Sequence, residues 1–189
     1  MKTLIVVDAQ NDFFPGGALP VNTAAKIVPT VTQLLDKMDL VVWTKDWHPN
    51  CHCSFKENGG PWPAHCVQGS EGARIVPALE ALIHLGGDGP YIVNKGKSHD
   101  ADSYSAFYDD NGITTGLTDF LRNKGADLLH ICGVATEYCV KFTALDAIKD
   151  GFSVALIEQG IAGLGEESSQ KAIDEVLEAG GILVTDIGR

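Results

Sequence analysis

The sequence has no long hydrophobic run. None of its apolar stretches approaches the roughly 18 residues that a membrane-spanning helix needs, so we expect no membrane segment. The first residues, MKTLIVVDAQND, contain one lysine and a short apolar run that ends at an acid, whereas a secretory signal needs a longer apolar stretch and a cleavage site. We therefore expect a soluble, cytoplasmic protein with its first strand in this segment.

Basic residues are scarce, and no stripe of positive charge is present. The chain has 14 lysines and arginines against 25 aspartates and glutamates, which gives a net charge of -11. A surface of this sign repels phosphate backbones, so nucleic acid is not an expected partner.

The sequence also lacks internal repeats, low-complexity tracts and linkers. Its 189 residues fit one domain, and its apolar fraction of 44% is that of an ordinary globular protein. We therefore predict a single domain over residues 1–189. Five cysteines is an odd number, and in a cytosolic chain cysteines beside histidines or acids favour catalysis or metal binding over disulfides. Four cysteines have such neighbours: Cys51, Cys53, Cys66 and Cys139.

Short β-branched runs alternate with longer segments of helical period along the chain. This alternation is typical of βαβ units around a parallel sheet, so we predict an α/β fold. The predicted strands are Leu4–Asp8, Leu40–Thr44, Tyr91–Lys95, Asp127–Cys132, Phe152–Ile157 and Ile182–Thr185. The predicted helices are Thr23–Lys37, Pro77–His84, Leu117–Asn123, Thr136–Lys149 and Glu166–Glu178.

Polar side chains with catalytic or ligand chemistry follow four of the predicted strands. Asp8 ends the first strand, Asp46 and His48 follow the second, Lys95 ends the third, and Cys139 lies in the segment after the fourth. Ligands of open parallel sheets bind beyond the carboxyl ends of the strands. Each residue alone has a structural explanation, but their joint placement predicts one crevice that contains all of them.

Cys139 is the candidate nucleophile. If Thr136 is the N-cap of the next helix, Cys139 lies in the first turn, where free amides and the helix dipole favour a thiolate and can bind an oxyanion. Lys95 is costly to bury without a partner, and Asp8 is the expected carboxylate. A base beside a thiol, with a cation that keeps the base ionised, is the general scheme of an activated nucleophile. The alternatives are a buried apolar cysteine and a structural ion pair.

The segment 45–73 predicts a metal site. It is rich in glycine, proline, histidine and cysteine without a sustained period, and loops of that length in compact domains are usually functional. Asp46 and His48 are spaced so that both side chains project to the same side of an extended segment, and His65 can complete a two-histidine, one-carboxylate set. Such a set leaves coordination positions open, which is typical of a catalytic metal.

A structural zinc site built on the cysteines is not favoured. Cys51 and Cys53 are separated by one residue, whereas two thiolates that bind one tetrahedral zinc are usually separated by two to four. His52, between them, has three readings: a fourth metal ligand, a hydrogen-bond donor to a ligand, or a loop residue that caps a turn.

Five motifs together resemble the nicotinamidases, also called pyrazinamidases, of the isochorismatase-like cysteine hydrolases. They span nearly the whole chain in the family's order, and the main departure from the family is the extra pair of thiols around His52. The motifs are VDAQNDF at 7–13, TKDWHPNCHCSF at 44–55, GGPWPAHCVQGS at 59–70, NKGKSHDADSYSAF at 94–107 and CGVATEYCVKFTALDA at 132–147.

The resemblance implies a Rossmann-like α/β/α sandwich of three layers with a six-stranded, mainly parallel sheet. It also implies hydrolysis of nicotinamide, and of pyrazinamide, to the acid and ammonia in NAD salvage, with one divalent metal ion that is zinc, iron or manganese. The family's triad matches Asp8, Lys95 and Cys139, and its metal ligands match Asp46, His48 and His65.

The resemblance further implies residues that bind the substrate. Phe13 and Trp62 match the aromatic pair that holds the pyridine ring, whereas without the resemblance each would be interpreted as a core or lid residue. A cis peptide bond before Ala135 is implied as well, and the Ala135 amide is expected to face the substrate oxygen. The family includes monomers and oligomers, so a homo-oligomer is left open.

Three alternatives are left open by the sequence. Isochorismatases share the fold but lack the nucleophilic cysteine, so Cys139 argues against them. An N-carbamoyl amide hydrolase shares the triad but has no need of Asp46, His48 and His65. A metal-binding or redox module without enzymatic activity is the third alternative.

Overall fold

The structure is a computed structural model that describes residues 1–85 and 90–187. Its centre is a six-stranded sheet in which every pair of neighbouring strands is parallel, in the order β3-β2-β1-β4-β5-β6. The order in which strands are added reverses at β1: β2 and β3 lie on one side of it, and β4, β5 and β6 lie on the other. In open α/β sheets such a reversal creates a crevice at the carboxyl ends of the central strands. The strands are β1 (Lys2–Val7), β2 (Leu40–Asp46), β3 (Tyr91–Lys95), β4 (Leu128–Val134), β5 (Ser153–Ala162) and β6 (Ile182–Val184).

Helices cover both faces of the sheet, so the predicted three-layer α/β/α architecture is confirmed. On one face α1 and α2 pack on side chains such as Leu4 and Trp43, and on the other α3, α4 and α5 pack on side chains such as Ile5 and Leu129. Adjacent residues of a strand point to opposite faces, which explains why Leu4 and Ile5 belong to different cores. The helices are α1 (Ile27–Leu35), α2 (Pro77–Glu80), α3 (Leu117–Lys124), α4 (Lys141–Lys149) and α5 (Glu166–Glu178).

All six predicted strands and five predicted helices are found, with differences at their ends. The helix predicted from Thr23 begins as a 3-10 turn at Ala24–Lys26, and α1 starts only at Ile27. Pro29 explains this difference, because proline is tolerated in the first turn of an α-helix but blocks a regular helix that starts a turn earlier. The helix predicted to reach His84 ends at Glu80 and continues as turns with i to i-3 hydrogen bonds.

Within the described residues, no helix combines the length and the apolar character that crossing a membrane requires.

Candidate active site

Asp8 lies directly after β1 at the bottom of the crevice. Its side chain is fully buried, and its backbone has a left-handed φ of 48°, which is uncommon for a residue other than glycine. The Thr44 hydroxyl on the neighbouring strand β2 donates a hydrogen bond of 2.6 Å to Asp8 Oδ1. This contact fixes one carboxylate oxygen and leaves Oδ2 to face Lys95.

The Lys95 ammonium lies at the centre of the predicted catalytic cluster. Its Nζ is 2.8 Å from Asp8 Oδ2, donates a 3.0 Å hydrogen bond to the Ser103 carbonyl, and lies 3.3 Å from Cys139 Sγ. It also forms a short ion pair with Asp46 Oδ1. The structure therefore brings Asp8, Lys95 and Cys139 together as predicted and adds Asp46 as a second carboxylate on the same lysine.

The charges in this cluster compensate each other. Burial by itself lowers the pKa of Lys95, but Asp46 and Asp8 raise that pKa well above its usual value, so the side chain stays an ammonium. Burial by itself raises the pKa of Asp46, but Lys95 and His48 hold it below its usual range. One cation is thus buried between two acidic side chains, which offsets the cost of burying the charges.

Asp8 and Cys139 both favour their protonated forms more than exposed groups do. Burial raises the pKa of Asp8, and the effect exceeds the lowering by Lys95. Burial also raises the pKa of the Cys139 thiol well above its usual value, against the opposing effect of Lys95. The Cys139 sulfur and a carboxylate oxygen of Asp8 lie within 4.8 Å of each other. The Cys139 side chain is therefore a neutral thiol, and the carboxyl group of Asp8 lies beside it.

Cys139 lies on a π-helical turn, Thr136–Val140, between β4 and α4. The peptide bond between Val134 and Ala135 is cis, as the resemblance implied. The prediction of Thr136 as N-cap is wrong: Ala135 precedes the first helical residue, and no side chain of that residue caps the turn. Cys139 nevertheless lies in the first turn, as the sequence predicted, because the Tyr138 and Val140 amides both donate to the Ala135 carbonyl and start the helix there.

Asp46, His48 and His65 converge a short distance from the catalytic cluster. Asp46 Oδ2 lies 3.5 Å from His48 Nε2 and 3.9 Å from His65 Nε2, and the three ligand atoms are all within 4.8 Å of one another. All three residues are buried. The two oxygens of Asp46 thus face different partners, with Oδ1 on Lys95 and Oδ2 on the two histidines.

Backbone carbonyls orient both imidazoles toward Asp46. His48 Nδ1 donates to the Gly96 carbonyl at 2.9 Å, and His65 Nδ1 donates to the Pro63 carbonyl at 2.8 Å. Each bond fixes the proton on Nδ1 and leaves the Nε2 lone pair to face the carboxylate, as in protein metal sites. Gly96 has a φ of +59°, and a Cβ at that position would lie 2.6 Å from His48 Nδ1, so the ring packs there because the residue is glycine.

This donor set fits a divalent metal ion. Two imidazole nitrogens and one carboxylate, with room for further ligands, suit zinc, iron and manganese alike. A second convergent group, Asp8, Asp46 and Cys139, surrounds the Lys95 ammonium, which already supplies the cation there. A third convergent group, His48, His52 and Asp102, shares His48 with the first, but both ring nitrogens of His52 have hydrogen-bond partners within the protein. The structure brings together Asp46, His48 and His65, the three residues that the sequence predicted as metal ligands.

His52 packs against the imidazole ring of His48. Its ring stacks on the His48 ring with centroids 4.0 Å apart. Its Nε2 donates to the Ala101 carbonyl at 3.2 Å, and its Nδ1 accepts a 2.7 Å hydrogen bond from the Ser54 hydroxyl. Both ring nitrogens therefore have protein partners, and of the three readings of His52 the geometry favours a packing and supporting role.

The cysteines around His52 do not form a zinc site. Cys51 is exposed, and each of the five cysteines of the sequence is a free thiol. Over residues 1–85 and 90–187, no cluster of side chains that could hold a metal includes Cys51, Cys53 or Cys66.

One pocket of about 430 Å³, its open mouth included, is lined both by the candidate metal ligands and by Cys139. Phe13, Trp62 and Ala135, the residues that the resemblance assigned to substrate binding, all line it, together with Asp46, His48, His65 and Cys139. The sequence analysis missed six further lining residues: Leu19, Val21, Asp102, Tyr104, Tyr138 and Leu164.

Two of the missed residues hold Trp62 in place. Its indole Nε1 donates a 3.0 Å hydrogen bond to the Tyr104 hydroxyl, and its ring meets the Tyr138 ring edge-on with centroids 5.1 Å apart. Burial raises the pKa of Tyr104 to about 12, so its hydroxyl stays protonated. Both tyrosines lie inside motifs that carry the resemblance, but a sequence motif does not reveal where an aromatic side chain points.

Proteins of known name resemble the chain over nearly its whole length. The nicotinamidase of Acinetobacter baylyi is 40% identical over 195 residues, which cover 94% of this chain and 89% of that protein. The structure of PnC1 from L. infantum in complex with nicotinate superposes with a TM-score of 0.90 at 41% identity and covers 97% of this chain and 91% of that one. The zinc complex of the pyrazinamidase of Pyrococcus horikoshii superposes with a TM-score of 0.86 at 42% identity, with 97% and 98% covered.

The isochorismatase domain matches residues 2–187. That range includes all of the strands and helices described above and every residue of the candidate site. The chain therefore belongs to the isochorismatase domain family.

Proposed function

We propose that the chain is a nicotinamidase, which hydrolyses nicotinamide to nicotinate and ammonia and also accepts pyrazinamide. One observation carries the proposal: the Cys139 thiol and the set of Asp46, His48 and His65 line the same small pocket. A pyridine ring with a carboxamide at position 3 presents a basic nitrogen and a reactive carbonyl at two places on one planar molecule. Two relatives that are 40% and 38% identical over nearly the whole chain are named as nicotinamidases, which supports the same reaction.

Recognition begins with the ring. Phe13 and Trp62 both line the pocket and would hold the flat pyridine by aromatic contact, with Trp62 kept in place by Tyr104. A divalent metal held by Asp46, His48 and His65 would supply a Lewis acid for the ring nitrogen, directly or through water. We propose zinc, because the zinc-bound pyrazinamidase of P. horikoshii is 42% identical to this chain.

The first half of the reaction forms a thioester. The Asp8 carboxylate accepts the proton of the Cys139 thiol, and the thiolate sulfur attacks the carboxamide carbon. The backbone amides of Ala135 and Cys139 would stabilise the negative oxygen of the tetrahedral intermediate. Asp8 then returns its proton to the departing nitrogen, the carbon–nitrogen bond breaks, and ammonia leaves.

The second half releases the acid. Asp8, again a carboxylate, accepts a proton from a water molecule, whose oxygen attacks the thioester carbon. The carbon–sulfur bond breaks, Cys139 regains a proton from Asp8, and the acid leaves as nicotinate after it loses its own proton to the solvent. Lys95 stays positively charged throughout and holds Asp8 in place beside the sulfur.

The alternative amidase reading is less consistent with the site. An N-carbamoyl amide hydrolase would use Asp8, Lys95 and Cys139 in the same way, but it gives no role to two imidazoles that backbone carbonyls aim at Asp46. Within this proposal, residues 1–189 act as one hydrolase domain.

Ammonia release from a small panel of amides tests the proposal. Nicotinamide and pyrazinamide carry a ring nitrogen at the position meta to the carboxamide, benzamide is the matched control without it, and an N-carbamoyl amino acid represents the alternative. We expect the two heteroaromatic amides to be hydrolysed much faster than benzamide, with activity lost on chelation and restored by added zinc. Preferential hydrolysis of the N-carbamoyl compound, or full activity after chelation, would overturn the proposal.

A further inference from the structure

Glu137 lies on the π-helical turn Thr136–Val140 that carries Cys139, which we call the nucleophile turn. Unlike Cys139, Glu137 is not among the residues that line the pocket. The residue is 9% exposed, and its carboxylate accepts hydrogen bonds from four donors, all of them in the segment that joins β5 to α5 and in the first turn of α5. The backbone amides of Leu164 and Gly165 donate at 2.9 Å each, and the hydroxyls of Ser168 and Ser169 donate at 2.8 and 3.1 Å.

This carboxylate binds the start of α5, where no side chain caps the helix. The residue at the N-cap position is Gly165, which has no side chain to cap the helix. The first amides of a helix have no partner inside it, and a negative charge beside them is favourable. Glu137 supplies the negative charge from a different element. It accepts hydrogen bonds from the two amides that directly precede α5 and from two hydroxyls in its first turn, so the start of α5 is bonded to the turn that carries Cys139.

The contact is close enough to fix the relative position of the two segments. A Cβ added at Gly163 would lie 2.5 Å from Glu137 Oε2, so the carboxylate packs directly on the backbone of that loop. Burial by itself raises the pKa of Glu137, but the Gly165 amide and the Ser168 and Ser169 hydroxyls lower it below its usual value. The side chain is therefore ionised at neutral pH, and all of its contacts are charge-assisted.

Both segments that Glu137 joins also form the pocket. Glu137 lies two residues after Ala135 and two before Cys139, both of which line the pocket. Leu164, whose amide donates to Glu137, lines the same pocket. A shift of the turn would move the sulfur relative to Asp8, which is fixed separately by Thr44 and Lys95.

We propose that Glu137 is a positioning residue, which holds the nucleophile turn against the start of α5 so that the Cys139 sulfur stays aligned with Asp8 and with the substrate carbonyl. The turnover part of this inference rests on the proposed nicotinamidase function, whereas the structural part does not. A misplacement of about 1 Å at a reacting group costs on the order of 100-fold in rate, so a residue without substrate contact can have a large effect on kcat.

Four variants separate positioning from general stability. Glu137→Ala removes every contact, and Glu137→Gln keeps one acceptor oxygen for the two amides and an amide group for the serine hydroxyls. Gly163→Ala leaves Glu137 in the chain but places a methyl group against its carboxylate and against the Ser169 hydroxyl that donates to it. Glu167→Ala is the matched control, because Glu167 is an exposed acid in the same first turn of α5.

Two readouts are measured on the metal-loaded full chain: kcat and KM for nicotinamide, and amide hydrogen exchange followed by mass spectrometry. For Glu137→Ala we expect kcat to fall by about 10- to 100-fold with KM changed by less than about 3-fold, and for Glu137→Gln we expect most of the loss to be recovered. Exchange should accelerate in residues 135–140 and 163–169 together in Glu137→Ala and Gly163→Ala and stay unchanged in β1. Glu167→Ala should behave as the wild type in both readouts.

Each contrary result has one meaning. Wild-type kcat in folded Glu137→Ala, or exchange that accelerates uniformly over the whole chain, would overturn the positioning role. If Glu137→Ala does not fold, the Gln and Gly163→Ala variants decide the matter, and the proposal fails if both have wild-type kcat and exchange. If the wild type does not hydrolyse nicotinamide, the proposed function fails, while local coupling of the two segments is still tested by exchange alone.

Discussion

Lys95 and Asp46 form a buried ion pair that joins the cluster around Cys139 to the candidate metal site. One oxygen of Asp46 faces this ammonium, and the other faces His48 and His65. The proposed proton acceptor, Asp8, contacts the same lysine nitrogen at 2.8 Å. The cluster around Cys139 and the candidate metal site are therefore coupled electrostatically, and a substitution in either one is expected to affect the other.

Removal of the shared cation should destabilise the protein. Lys95→Met leaves Asp8 and Asp46 buried without their counter-charge, and breaking such a contact typically costs about 3 to 5 kcal/mol. We expect a loss of that size in the free energy of unfolding, measured by urea denaturation after chelation of metal. Lys97→Met is the control, because Lys97 is exposed. A loss below about 1 kcal/mol for Lys95→Met would show that the three charges are not coupled as described.

Removal of the nucleophile should stop turnover without loss of the fold. Cys139→Ala takes away the sulfur that forms the thioester, so we expect no ammonia release. The candidate metal ligands lie on other segments, so we expect the metal content and the circular dichroism spectrum to be unchanged. Cys51→Ala, at an exposed position, should keep wild-type activity. Near-wild-type turnover by Cys139→Ala would falsify the nucleophile assignment.

The three histidines of the loop should differ in their effect on metal binding. His48→Ala and His65→Ala each remove a nitrogen that faces Asp46, so metal content should fall far below one ion per chain. His52→Ala removes only the ring that stacks on His48, and loss of such support typically weakens metal affinity by about 10- to 100-fold with the stoichiometry retained. Elemental analysis and zinc titration distinguish the two outcomes. A complete loss of metal in His52→Ala would instead make His52 a ligand.

The hydrogen bond between Trp62 and Tyr104 should contribute to substrate affinity. Tyr104→Phe removes the acceptor of the indole N–H, and a hydrogen bond of this kind contributes about 1 kcal/mol, which corresponds to about fivefold in KM. We expect KM for nicotinamide to rise by that factor with little change in kcat. The matched control is Tyr108→Phe, because the Tyr108 hydroxyl contacts Asp150 and the ring does not line the pocket. An equal rise in KM for both variants would argue against a specific role of Tyr104.

The contribution of Glu137 to stability should depend on pH in a defined direction. Hydrogen bonds hold its folded-state pKa below the ordinary value of 4.5, so the stabilisation is fully present above pH 4.5 and is lost as pH falls through the lower, folded-state pKa. The difference in free energy of unfolding between the wild type and Glu137→Gln should therefore be largest near neutral pH and shrink below pH 4.5. Chemical denaturation at several pH values measures it, and a difference that grows on acidification would contradict the assignment.

Local patterns along the chain predicted most of the fold. Runs such as Leu4–Asp8 are apolar and β-branched, and the segment Glu166–Glu178 has a helical period that starts with acids, so each element could be assigned from its own residues. The errors lie at element ends. At Thr136 the sequence suggested a side-chain cap, but the chain starts that helix with a π turn on the Ala135 carbonyl.

Contacts between distant segments were much harder to predict. The sequence placed Asp8, Lys95 and Cys139 at strand ends and so in one crevice, but gave no reason to pair Lys95 with Asp46. The role of His52 stayed open until both of its nitrogens were seen to have partners. The assignments of catalytic, substrate-binding and metal roles to individual residues remain predictions that the experiments above test.

The sequence by itself determined the parallel sheet, the chemistry available at its strand ends and the family, because these follow from local periodicity and from motifs read along the chain. Only the tertiary structure decided which atoms meet: the lysine shared by Asp8 and Asp46, the Tyr104 hydroxyl on Trp62 and the Glu137 carboxylate on the start of α5. The physical reason is that hydrogen bonds and ion pairs between segments far apart in the chain form only when donor and acceptor are placed to within a few tenths of an ångström. That placement is set by the packing of the sheet and its helices together.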